Sequence, residues 1–207
     1  IMLLGQILEY PSDPFREGIE TVRHHRHGAI VVQDGQILAV GPAETVRPAF
    51  TQASVQDCGD KLLLPGFIDA HVHYPQTAII ASWGKRLIEW LNTYTFPEET
   101  LFHDPEYAAE IAARYFDLTL SCGTTSVCSY ATIHPASVDA FFTEAQRRGL
   151  RALTGKTCMD RNAPDGLRDT AQSAYDDSKM LLNRWHGVDR LSYVITPRFS
   201  PTSTPEQ

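Results

Sequence analysis

The chain has little cysteine, no long apolar run and no excess of positive charge. Its 207 residues include four cysteines, Cys58, Cys122, Cys128 and Cys158. None forms a C-x-x-C pair and the set is too sparse for a disulfide scaffold, so reduced thiols in a cytoplasmic protein are expected. No apolar stretch approaches the ~20 residues that a spanning helix needs, so no membrane partner is expected. Lysine and arginine number 18 against 25 acids, giving a net charge of −7, and the basic residues are scattered. A phosphate backbone is held by a clustered basic face, so nucleic acid is not an expected partner either. The one basic run, "RHHRH" at 23–27, has irregular spacing and no acid or cysteine beside it in sequence. It reads as a solvated sheet edge rather than a metal site.

What is present suffices for a folded core, since 43% of the residues are hydrophobic. Residues 1–61 read as short β-structure, a first domain that precedes the strand–helix region. In "GAIVVQDGQILAVG" two apolar runs flank Asp34-Gly35, a two-residue hairpin signal. From residue 62 the rhythm becomes strand–helix alternation. "KLLLPGFIDAHVH" is a strand. In "SWGKRLIEWLNTY", Trp83, Leu87, Trp90, Leu91 and Tyr94 recur at helical spacing. Asp104-Pro105-Glu106 opens a further helix that Gly123 stops. "TTSVCSYATI", "LRALTGKTCM" and "RLSYVITPRF" are strands, separated by helices over "SVDAFFTEAQRRG" and "TAQSAYDDSKMLLNRWHG". Such alternation calls for right-handed crossovers and a parallel sheet. Residues 62–207 therefore predict the first half of an eight-stranded (β/α) TIM-like barrel. Thr204-Pro205-Glu206-Gln207 reads as the opening of another helix, and the expectation is an N-terminal portion of a longer enzyme.

The apolar strand "LLPGFIDAHVHYPQ" ends in two histidines. Alternate strand residues share a face, so Asp69, His71 and His73 are expected to point into the barrel, the histidines at its C-terminal mouth. Barrel enzymes place their chemistry at that end. Two neutral imidazoles aimed at one point suit zinc or iron. Asp69, one layer deeper, reads as a supporting carboxylate.

"PGFIDAHVH" resembles the signature of the amidohydrolase superfamily, metal-dependent barrel hydrolases with a small β-sandwich, and the resemblance implies that residues 1–61 are the N-terminal part of that composite β-sandwich domain. "HYPQ", "EWLNTYTFPEE", "CGTTS" and "ITPRFSPTS" resemble its guanine deaminase branch along nearly the whole chain. The resemblance implies one Zn2+ per subunit, with Fe2+ as the other fitting ion, held first by His71 and His73. It implies purine contacts from Gln76, Arg198 and Phe199, a homodimer, and hydrolysis of guanine to xanthine and ammonia. The family's remaining metal ligands and its proton-shuttling glutamate have no counterpart here and are expected beyond residue 207. A planar purine wants an aromatic neighbour, a donor for its carbonyl oxygen and an amide that both gives and accepts; Phe199, Arg198 and Gln76 offer these in turn. Two alternatives stand beside this reading. One is a sister enzyme deaminating or dechlorinating another aminopurine, a pterin or an s-triazine; the other is a catalytically silent scaffold. The H-x-E and P-C-x-x-C pattern of nucleic-acid base deaminases is missing. Lys156 could bridge two metals if carboxylated, but the single-metal resemblance favours a structural lysine.

Overall fold

In the computed structural model, which describes residues 1–207, sheet structure opens the chain and strand–helix alternation follows. The two regimes form separate units, Ile1–Pro65 and Gly66–Gln207.

The first unit is one four-stranded layer. It comprises β1 (Met2–Glu9), the helical turn α1 (Pro14–Glu17), β2 (Arg23–Gln33), β3 (Gln36–Pro42), the turn α2 (Ala43–Val46) and β4 (Val55–Leu63). The strand order is β3-β2-β1-β4, with β1 parallel to β4 and antiparallel to β2. Asp34 and Gly35 both take positive φ, 51° and 74°, as the predicted hairpin turn requires. One face buries Met2, Ala29, Val31 and Val46. The "RHHRH" run occupies the start of β2, where β1 is paired and pairing with β3 begins only at Gly28. That stretch is an edge, as read. It does find an acid across the strand, however, since His25 Nε2 lies 2.9 Å from Glu9.

The second unit is built on a parallel sheet ordered β5-β6-β7-β9, so each strand lies beside the one before it. β5 is Phe67–His73 and β6 is Thr124–Tyr130. The two later strands are each broken once: β7 (Arg151–Gly155) continues as β8 (Thr157–Cys158), and β9 (Leu191–Tyr193) continues as β10 (Thr196–Pro197), with β8 and β10 paired. Gly155 sits at the break because a Cβ there would meet the Val194 carbonyl oxygen at 1.8 Å.

Between β5 and β6 run α3 (Leu87–Trp90), a π-turn over 91–95, α4 (Phe96–Thr100) and α5 (Pro105–Ser121). The helix expected from Ser82 therefore starts five residues late. The cause is local: the chain folds back at Gly84, where a Cβ would touch Trp90 Cβ at 2.7 Å, and the Trp90 indole donates to the Ser82 carbonyl at 3.1 Å. Trp83 stays 71% exposed. α5 is capped as its sequence dictates, with the Asp104 carboxylate accepting from Glu106 N at 2.9 Å and Gly123 at φ +82°. α6 (Pro135–Arg147) and α7 (Ala171–Trp185) complete the alternation, α7 through a capping box between Thr170 and Ser173.

The core lies between sheet and helices. Ile111, Tyr115 and Phe116 of α5 meet Phe141 and Phe142 of α6 around Tyr74 and Phe102. Burying side chains of this size stabilises by about 1.5–3 kcal/mol each. The Tyr74 hydroxyl, fully buried, donates to the Ser137 carbonyl at 2.6 Å. The expected final helix start is not formed. Only Pro205 and Glu206 form a turn, and the Thr204 backbone and hydroxyl both donate to Asp160, so the would-be cap is already engaged.

Candidate active site

β5 delivers His71 and His73 to the C-terminal end of the sheet. Its pairing with β6 slips between Asp69 and Val72, leaving one extra residue on β5. Such a bulge re-aims side chains, and strict alternation from Asp69 to His73 is lost. The two histidines nevertheless face each other, ring centroids 5.6 Å apart and edge to face. Tyr130, at the end of β6, stacks flat on His73 with centroids 4.7 Å apart and closes edge-on against His71 at 5.5 Å. Asp69 takes a local role: its carboxylate accepts from His71 N at 3.2 Å. It also borders a 430 Å³ cavity with Val72, His73, Gln76, Trp90 and Tyr115.

His73 is held as a neutral ligand would be. Burial pushes its imidazole down to about 4, and the nearby positive charge of Arg198 and then His71 add to the shift. An imidazole binds metal through a free lone pair, so a ring that resists protonation at neutral pH suits that task. His73 Nδ1 is buried without a hydrogen-bond partner. A buried ring nitrogen left in this way costs free energy unless something answers it. On both counts the pair fits a metal ion.

The turn after β5 carries Gln76, and the chain just past β10 carries Arg198, whose backbone N–H donates to the Cys158 carbonyl at 3.2 Å. These two side chains converge on Glu99 of α4. The Glu99 carboxylate takes both terminal nitrogens of Arg198, one through Nη2 at 3.1 Å and the other, Nη1, in a shorter contact. Gln76 Nε2 donates to the same carboxylate at 3.3 Å. The ion pair is dry, with side-chain exposure of 6% for Arg198 and 0% for Glu99. The guanidinium carbon also sits 5.5 Å from the Phe96 ring centroid, on the same helix as Glu99. Phe199, next along, is 40% exposed.

Sequence reasoning missed Glu99 and Tyr130. Nothing in the sequence marks Glu99, since Glu98-Glu99 reads as an ordinary acidic first turn of a helix. Both carboxylates prove buried, Glu98 accepting from the Tyr107 hydroxyl. Lys156 is fully enclosed and donates to Asp169 at 2.5 Å, so its ammonium is occupied by an ion pair. A second partly buried imidazole, His134, lies after β6 near His103, ring centroids 6.2 Å apart. No helix is long and apolar enough to cross a membrane.

A parallel strand–helix sheet with H-x-H at the mouth of its first strand defines a class, and comparison with known proteins agrees. The chain belongs to the amidohydrolase family, whose model matches residues 62–207. Residues 28–53 match an imidazolonepropionase-like composite domain of bacteria. Among curated relatives it is 44% identical to the guanine deaminase of Escherichia coli K12, over 90% of this chain and 43% of that one. It is 39% identical to a probable guanine deaminase of Deinococcus radiodurans, over 94% of this chain and 45% of the relative. The solved E. coli guanine deaminase superposes with a TM-score of 0.93 at 41% identity, covering 100% of this chain and 48% of that one. A guanine deaminase from C. acetobutylicum with guanine bound in its active site superposes at 0.88 with 28% identity, over 99% of this chain and 48% of that one. The chain thus spans a little under half the length of the relatives it matches.

Proposed function

We propose that this chain supplies the metal-entry strand and the purine-binding pole of a guanine deaminase, an enzyme that hydrolyses guanine to xanthine and ammonia. The observation that carries the reading is the meeting of Gln76 and Arg198 on a buried carboxylate beside the His71–His73 pair. The identity with guanine deaminases supports it.

His71 and His73 would hold the metal, zinc or iron, one per subunit. A metal in that position supplies Lewis acidity and lowers the pKa of water to about 7, which makes a nucleophile available at neutral pH. The residues of this chain bind and orient. Arg198 has only donors, so it bonds the C6 carbonyl oxygen of guanine and is left unpaired against the C6 amino group of adenine. Phe199 covers the ring plane, and Gln76 bonds a neighbouring edge. Tyr130, stacked on His73, keeps that imidazole from turning away. A homodimer and a cytoplasmic setting belong to the same reading through the family resemblance.

The test is kinetic and uses the full-length protein. Guanine should release ammonia and adenine should be refused by about 10⁴-fold in kcat/KM, the discrimination reached when a site is built around such bonds. Arg198→Ala should lower kcat/KM for guanine by at least about tenfold while metal content holds, since one charged hydrogen bond contributes that much. Good adenine turnover by the wild type would overturn the substrate, and unchanged guanine kinetics in the variant would remove Arg198 from the pocket.

A further inference from the structure

We propose that Glu99 is a positioning residue that sets the hydrogen-bonding polarity of the purine pocket, and so its preference for an oxo over an amino group at C6. The inference rests on the purine reading above. Its basis is the chemistry of a buried carboxylate. Glu99 is 0% exposed and lies at the end of α4. An ionised carboxylate accepts and never donates, so every group turned toward it turns a donor. Gln76 must therefore present its amide nitrogen to Glu99, as the 3.3 Å contact from Nε2 records. Its amide oxygen is then the end left for a ligand. Arg198 spends one proton from each terminal nitrogen on the same carboxylate, which fixes its fork, and the Phe96 ring lies 5.5 Å from its guanidinium carbon. The donors that remain on Arg198 have one orientation to choose from.

The pocket wall is thereby an acceptor from Gln76 beside donors from Arg198. That pair complements an adjacent N–H and C=O, the N1–H and C6 carbonyl of a 6-oxopurine. A 6-aminopurine presents the reverse order, a bare ring nitrogen beside an amino group, and both contacts fail at once. Arg198 alone would select against the amino group; Glu99 makes Gln76 select in the same direction.

The substrate pair that isolates this effect is guanine and 2,6-diaminopurine. Both carry the C2 amino group to be lost, and they differ at the edge in question. In the metal-loaded full-length enzyme, Glu99→Gln places an amide where an obligatory acceptor stood. It can donate to Gln76 and let that side chain turn its own amine to the ligand. We expect the ratio of kcat/KM for guanine over 2,6-diaminopurine to fall by about tenfold or more, through loss on guanine, with metal content unchanged. Glu99→Asp keeps an acceptor-only group on a shorter stem. It should keep the wild-type preference while losing rate on both substrates, and it serves where the amide variant folds poorly. Equal proportional losses on both substrates in Glu99→Gln, or a ratio collapsed as far in Glu99→Asp, would reduce Glu99 to a packing role and overturn the proposal. A wild type that leaves guanine untouched would overturn the purine reading itself, a result distinct from either variant outcome.

Discussion

Replacing Lys156 by methionine separates a structural lysine from a metal-bridging one. The Lys156 side chain is 0% exposed and its partner Asp169 only 6%. Methionine fills nearly the same volume but leaves Asp169 without its counter-ion. Removing one member of a buried pair costs about 3–5 kcal/mol, because the remaining charge is stranded out of water. Asp169 is not wholly stranded, since it still accepts from Met159 N at 3.1 Å and from Gln207 Nε2 at 2.6 Å. The cost should therefore fall near the lower end, about 3 kcal/mol. For a body of 150–250 residues that would be roughly a 6–12 °C drop in Tm, and it is proportionally less in a larger cooperative unit such as the full-length protein. Adding Asp169→Leu should recover part of the loss, the Met159 N–H remaining unanswered. Differential scanning calorimetry of the full-length protein, paired with metal analysis, reads both quantities. Loss of metal with Tm nearly unchanged would refute the argument and return Lys156 to the metal site.

Acid should destabilise the second unit in part through His134. Burial pushes its imidazole down to about 4 from an ordinary 6.5, with His103 and then Lys156 adding positive charge. The unfolded chain then binds the extra proton between those values, so stability is full above about pH 6.5 and falls as pH drops toward 4. His134→Gln should reduce the loss between pH 7 and 5 by about 1 kcal/mol, allowing for solvent on one side of the ring, and parallel urea curves at the two pH values would show it. Gly155→Ala tests the strand break: with a Cβ 1.8 Å from a backbone oxygen, a cost of about 3 kcal/mol is expected in urea unfolding, and a near-neutral result would contradict the packing described.

Much of the fold was legible because its signals are local. The Asp34-Gly35 hairpin, the Asp104 cap and the strand–helix rhythm each depend on a few neighbouring residues. The delayed start of α3 was not legible, because Gly84 is required by Trp90 packing back over the loop, a tertiary fact. The broken strands escaped for a similar reason: Gly155 answers a carbonyl from the neighbouring strand, 39 residues on. In the site, H-x-H could be read from strand spacing alone. Glu99 could not, since its partners stand 23 and 99 residues away along the chain. The bulge after Asp69 was invisible to an argument from alternation, and it left Asp69 bonded to its own strand.

On the proposed reading, His71 and His73 would hold the metal on which guanine hydrolysis depends. Metal content and guanine kcat/KM, measured together on full-length His71→Ala/His73→Ala, test it most directly. Near-total loss of both is expected, with Tyr130 and the core beneath it preserving a folded protein by circular dichroism. A folded double variant that keeps stoichiometric metal would contradict it.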